Sequence, residues 1–213
     1  AIRREAESIG LKTEVYDSAE LAVDKKPRPN LVVRLDVGAR ETVLVATHYD
    51  VVAAGPGWRH DPFKLEVEDD RAFGRGAADD KGAIVSAMGA LRELAKMTPR
   101  VNVALLACPD EEVGGKLGLG YLVDHAKIRG DAVVVLDASP AMVSIGASGL
   151  LWGRVTVRGR QGHAGYPHLA KNAIDEAIPF LGRLSRYAKI RQRIRSKIPA
   201  PPGSPYKQIW GRF

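Results

Sequence analysis

Five short apolar runs alternate with segments of helical spacing over the first 137 residues. That alternation limits the fold more than any other property of the chain. Residues 12–16, 31–37, 43–47, 101–107 and 132–136 read as strands, with Pro27, Pro29 and Asn30 punctuating the gap between the first two. Between the third and fourth runs, Ile84, Ala87, Met88, Leu91, Leu94 and Ala95 recur at helical spacing, with Pro99 beyond them, and a further helix is predicted around residues 119–127. Strands and helices in this order bury their apolar faces together in an α/β fold, a mainly parallel sheet flanked by helices. After residue 148 the pattern changes. Residues 150–158 read as a strand of period two, and a helical pattern runs from about Asn172 through Ile174, Ile178, Leu181 and Leu184, with Pro179 disturbing its early course. The proline-rich residues 198–205 form a stiff connection, and residues 210–213 read as a strand beginning. The expected division is a catalytic domain over residues 1–148 and the start of a smaller α+β domain over residues 149–213.

Composition removes several function classes. The chain is 45% hydrophobic and 27% charged, the balance of a soluble globular protein. No run approaches the roughly 18 consecutive apolar residues of a membrane helix, so no membrane partner is expected. Its one cysteine, Cys108, excludes an internal disulfide and suits a reducing, cytoplasmic setting. The net charge of +7 is local: residues 177–213 hold nine Lys or Arg and no acid, so the remainder is net acidic. A basic stretch without interleaved aromatics reads as a solvated helix face, and no nucleic-acid partner is expected.

The residues just past the apolar runs carry the chemistry, because ligands of open α/β sheets bind outside the carboxyl ends of the strands. His48 and Asp50 follow one run, at i and i+2. The imidazole can bind a divalent metal while the carboxylate accepts its other N–H, or the two are an unrelated surface pair. In Gly74-Arg75-Gly76-Ala77-Ala78-Asp79-Asp80-Lys81-Gly82 the glycines permit tight backbone geometry, and Asp79 precedes a helix. It is a ligand or simply favours the helix N-terminus. Neither this segment nor Gly114-Gly115-Lys116-Leu117-Gly118 matches a nucleotide-binding loop. Asp110, Glu111 and Glu112 crowd three acids after a strand, which calls for solvation or a compensating cation. Asp137 ends the run at 132–136 as either a cap or a ligand.

The order of these clusters resembles one family. Thr47-His48-Tyr49-Asp50-Val51-Val52, Trp58, Asp61-Pro62-Phe63, residues 74–82, Asp110-Glu111-Glu112, the stretch Arg158-Gly159-Arg160-Gln161-Gly162-His163-Ala164-Gly165-Tyr166-Pro167, and Asn172-Ala173-Ile174 together resemble the co-catalytic zinc aminoacylase, dipeptidase and carboxypeptidase family. Its members include acetylornithine deacetylase, succinyl-diaminopimelate desuccinylase and the carboxypeptidase G type. The resemblance implies a zinc exopeptidase-like catalytic domain, a dimerisation or lid domain, and two divalent metal ions, zinc first, with cobalt or manganese as alternatives. It implies that His48 and Asp137 bind the first metal, Glu112 the second, and that Asp79 bridges both. Asp50 becomes the orienting partner of His48. Glu111 becomes the general base, taking a proton from a metal-bridged water and passing it to the leaving nitrogen. The peptide between Asp79 and Asp80 is expected to be cis. His163 is implied to reach substrate in the partner subunit's site, which requires a homodimer. His60, His125 and His168 read as surface or packing residues, and Cys108 as a core thiol.

The implied activity is hydrolysis of the amide bond of dipeptides or of C-terminal residues of short peptides, because Asp79-Asp80-Lys81-Gly82 resembles the dipeptidase branch. N-acyl amino acid deacylation is the alternative, and a non-catalytic binding module the competitor from another class. The match is to the N-terminal part of the family pattern. Relatives continue past it and return to the catalytic domain with the last histidine ligand of the second metal and a substrate-binding arginine. An incomplete second metal site and little activity are therefore expected of these 213 residues alone.

Overall fold

A computed structural model of the chain describes residues 1–137, 143–144 and 151–194. The chain divides into two compact units, Ala1–Ala147 and Ser148–Phe213. The first unit holds helix α1 (Ile2–Ser8) and strands β1 (Lys12–Asp17), β2 (Pro29–Leu35) and β3 (Thr42–His48). A hairpin of β4 (Glu66–Glu68) and β5 (Arg71–Phe73) follows, then α2 (Lys81–Leu94), β6 (Asn102–Cys108), α3 (Leu119–Asp124) and β7 (Ala132–Val135). Five strands form one sheet in the order β1-β2-β6-β3-β7. β3 pairs in parallel with both β6 and β7, while β2 runs antiparallel to β1 and β6. Four strands thus share a direction and β2 opposes them, so the expected α/β architecture is present with a mixed sheet.

Both faces of the central strands are covered, which is why β2 and β6 read as continuous apolar runs. Leu31, Val33, Leu35, Val103, Leu105 and Ala107 pack against Ala6 of α1 and Ile84, Ala87, Met88 and Leu91 of α2. The last four recur at i, i+3, i+4 and i+7, one stripe of a helix. The alternate residues Val32, Ala104, Leu106 and Cys108 face the other way, onto Leu122 of α3 and Ile128. Leu105 and Leu106 are neighbours on opposite faces and neither has any exposed surface. Leu105→Ala is expected to cost about 2–5 kcal/mol of stability, read from the urea midpoint, and a cost below about 1 kcal/mol would remove it from the core. At the β7 edge, Val133, Val134 and Val135 remain 48–58% exposed.

Several elements depart from expectation. α3 ends at Asp124 rather than near Lys127, because Lys127 adopts a left-handed φ of 56° and the Ile128 N–H bonds the Leu122 carbonyl, turning the chain back to bury Ile128. In the second unit, residues 151–158 form no strand, correcting the strand expected over residues 150–158. Alternation makes a strand only where a neighbour supplies the ladder, and among the described residues of this unit the one bridge joins Arg160 to Lys171. Helix α4 (Ala173–Arg191) begins at Asn172, whose Oδ1 accepts the Ile174 N–H at 3.0 Å, and it continues through Pro179. The expected connection at 198–205 and strand at 210–213 lie outside the described residues. Among the described residues no helix is long and apolar enough to cross a membrane.

Candidate metal centre

The register of the parallel strands brings the polar residues to one end of the sheet. His48 is level with Cys108, and Ala46 with Val135. Glu111 and Asp137 therefore emerge beside His48, just beyond the carboxyl ends of β6 and β7. One ligand atom from each of His48, Glu111 and Asp137 lies within 4.8 Å of the others. The His48 imidazole is 2% exposed. Its Nε2 is 2.9 Å from Asp79 Oδ1 and 4.0 Å from Glu111 Oε2, while its Nδ1 lies 3.3 Å from Asp50 Oδ1. A cavity of about 620 Å³ opens over this cluster, with Ala46, Leu119, Val123 and Val135 in its wall.

Two loops deliver the carboxylates. Asp79 stands at the end of the glycine-rich segment, where Gly76 has φ +80° and an added Cβ would lie 2.6 Å from Val51 Cγ1 and 2.5 Å from Lys81 Nζ. The peptide between Asp79 and Asp80 is cis. Asp80 is buried, and its Oδ2 accepts the His48 backbone N–H at 3.1 Å, tying the segment to β3. Arg75 braces the segment from outside, its guanidinium 5.0 Å from the Trp58 ring and donating to the Ala54 carbonyl at 3.3 Å. In the second loop, Asp50 accepts the backbone N–H groups of Glu111 and Glu112, one on each carboxylate oxygen, both at 3.2 Å. The Glu112 carboxylate accepts the Val52 N–H at 3.3 Å. Glu111 thus stands with His48 and Asp137, and Glu112 is turned toward the segment after Asp50.

Electrostatics identify what the cluster lacks. Among the described residues, the ion pairs of Asp50, Asp79 and Glu111 run to His48, and none runs to a Lys or Arg. Burial pushes the Glu111 carboxyl above its ordinary pKa, and the nearby Asp137 charge adds to this while His48 opposes it. Burial works against charge on His48, but the hydrogen bond to Asp79 and the charges of Asp50, Asp80 and Glu111 outweigh it and raise its pKa. Burial likewise raises Asp80. Lys116 lines the same cavity, but among the described residues no Lys or Arg is ion-paired to these carboxylates. Their gathering on one imidazole fits a divalent cation, whose charge compensates the acids and whose preferred donors are imidazole nitrogen and carboxylate oxygen.

The other candidate residues make local contacts of their own. His163 belongs to the second unit, where its Nδ1 accepts the Gly165 N–H at 3.0 Å and its ring lies 5.7 Å from Tyr166. His60 stacks on Phe73 at 4.3 Å with Nδ1 3.0 Å from Glu66, and His125 stacks on Tyr121 at 5.3 Å, both local packing. Cys108 is buried, and burial raises its thiol to about 12. Sequence reasoning missed Asp80 as a tie to β3. It also took Asn30 for loop punctuation, although Asn30 lies inside β2 with no exposed surface. A polar residue opening an apolar run was the available signal.

Known proteins resemble this chain in sequence and in fold. The sequence model of Peptidase family M20/M25/M40 matches residues 44–198. The chain is 39% identical over 159 residues to a succinyl-diaminopimelate desuccinylase of Verminephrobacter eiseniae, an alignment covering 69% of this chain and 40% of the relative. The chain spans about two fifths of the length of the curated relatives it matches. Among solved structures, an M20 family metallo-carboxypeptidase of Sulfolobus solfataricus superposes with a TM-score of 0.52 at 29% identity, over 64% of this chain and 32% of that one. Human carnosine dipeptidase 1 gives 0.52 at 28% identity, over 63% and 31%.

Proposed function

The chain belongs to peptidase family M20/M25/M40, and we propose that it serves a metal-dependent hydrolase that cleaves the amide bond of dipeptides or of C-terminal residues of short peptides. The convergence of His48, Glu111 and Asp137 at the end of the sheet, with Asp79 against the same imidazole, carries this reading. His48, Asp79 and Asp137 would hold a first divalent ion, and Asp79 and Glu112 a second, with zinc first among the candidates. Such ions polarise an amide carbonyl and acidify water toward a pKa of about 7.

The chain's own groups supply the rest. The Asp50 carbonyl and carboxylate, 3.2 and 3.3 Å from Nδ1, would hold the tautomer of His48 whose Nε2 coordinates once an ion takes the place of the proton it shares with Asp79. Asp50 also pins the backbone of Glu111 and Glu112, so one carboxylate orients residues from two strands. Glu111 is the proton carrier. Its carboxylate, 4.0 Å from His48 Nε2, would take a proton from the attacking water and return it to the leaving nitrogen. The apolar wall of the cavity takes the non-polar part of the substrate. In this reading the second unit is a dimerisation and lid domain, and its His163 supports substrate across a homodimer interface.

A second reading, deacylation of N-acyl amino acids, is favoured by the 39% identity to a desuccinylase. The test is hydrolysis by the full-length protein, loaded with Zn, Co or Mn, of a panel holding dipeptides, C-terminally blocked peptides, and acetyl and succinyl amino acids. Turnover of one class that disappears on chelation and returns with metal is the expected result. A protein that binds no metal and turns over nothing would be a binding module instead.

A further inference from the structure

The loop from Pro109 to Gly118 carries Glu111 and Glu112, and it is held from a side remote from the chemistry. Its neck is closed: a Cβ at Gly118 would collide with the Pro109 carbonyl oxygen. Inside the loop, Asp110 has φ 73°, its carbonyl accepts the Gly115 N–H at 2.6 Å, and its Oδ2 accepts the Leu117 N–H at 2.9 Å. The Leu117 carbonyl points the other way. It accepts the Ser18 hydroxyl at 2.7 Å and the Asn30 side-chain amide at 2.9 Å. Ser18 and Asn30 are both without exposed surface, and they stand 99 and 87 positions from Leu117 in the chain.

Cohesion alone is a poor reason for this arrangement. Asn30 Oδ1 is buried with no hydrogen-bond partner among the described residues, a loss that an apolar side chain of similar size would avoid. What the amide adds is direction: its Nδ2 also reaches the Tyr16 and Arg28 carbonyls, so its orientation is fixed from β1 and from the turn before β2. Leu117 is then fixed at its N–H by Asp110 and at its carbonyl by the Ser18–Asn30 pair. Asp110 is bonded directly to Glu111, and the Asp50 carboxylate accepts the N–H groups of Glu111 and Glu112.

We infer that Ser18 and Asn30 are positioning residues for the Glu111 carboxylate, acting through the Leu117 carbonyl. The inference rests on the assignment of Glu111 as the proton carrier, and its test separates the two. In the full-length protein, Ser18→Ala and Asn30→Ala should speed amide hydrogen exchange at Gly114, Gly115 and Leu117 by at least about 10-fold while the amides of β2 and β6 keep their protection. With the substrate identified by the panel, each variant should lower kcat by about 10- to 100-fold with KM little changed. In the Glu111→Gln background the same substitutions should have almost no further effect on kcat. Asn102→Ala supplies the control for destabilisation, since Asn102 holds the Ala39 carbonyl and Val37 N–H at the opposite end of β6. It should lower stability without the change in kcat. Unchanged loop exchange overturns the inference whatever the activity. A loosened loop with kcat unchanged, or an effect that persists undiminished in Glu111→Gln, overturns the positioning role. If wild type hydrolyses nothing, the hydrolase reading falls, and with it the role assigned to Ser18 and Asn30.

Discussion

Glu111→Gln in the full-length protein is expected to lower kcat by about 10²–10⁴-fold, the range that a positioned proton carrier supplies, while metal content stays at the wild-type level. The substitution keeps the shape of the side chain and removes its basicity. It also decides between two uses of the same carboxylate. Glu111 lies with His48 and Asp137 inside a 4.8 Å cluster, close enough to be a ligand. Its Oε2 stands 4.0 Å from His48 Nε2, and Asp79 Oδ1 is hydrogen-bonded to the same nitrogen at 2.9 Å. Metal analysis beside the rate measurement separates the cases. Loss of metal together with activity would make Glu111 a ligand and move the proton work elsewhere.

The second large effect is on metal affinity. His48→Ala should weaken binding of the first ion by more than the roughly 10–100-fold that follows loss of an outer partner, and Asp50→Asn should fall inside that range. A competition titration against a chromophoric chelator reads both. The order follows from geometry, since His48 offers Nε2 to the cluster while Asp50 acts on its other nitrogen and on the backbone of the glutamate loop. Equal losses in the two variants would make Asp50 a ligand in its own right. Unchanged affinity in His48→Ala would remove the imidazole from the metal site altogether.

Much of this architecture was legible because its strands are buried on both faces. The runs at 43–47 and 101–107 fall within one residue of Thr42–His48 and Asn102–Cys108. The hairpin Glu66–Glu68 with Arg71–Phe73 was not legible, since three-residue strands carrying an exposed Val67 leave no pattern to read. At the site, the rule that ligands gather at strand ends placed His48, Glu111 and Asp137 together. It could not say which way each of two adjacent glutamates turns. That depends on the left-handed backbone of Asp110 and on the Val52 N–H that captures Glu112, and neither is written in residue types. The buried Asn30 was misread for a similar reason: an Asn beside two prolines looks like a turn until a distant carbonyl is brought to it.

The strand order has a consequence for biosynthesis. β2 and β3 are consecutive in the chain, yet β6 lies between them in the sheet. A nascent chain that has released β3 but not β6 therefore holds the β1–β2 hairpin and a lone β3, with no strand to join them. Val32, Val33, Leu44 and Ala46, buried in the finished protein, have no β6 residues to pack beside. Such unpaired edges attract other chains. Until β6 is released these edges stay open, and the strand that closes them is also the one that brings the glutamate loop to His48.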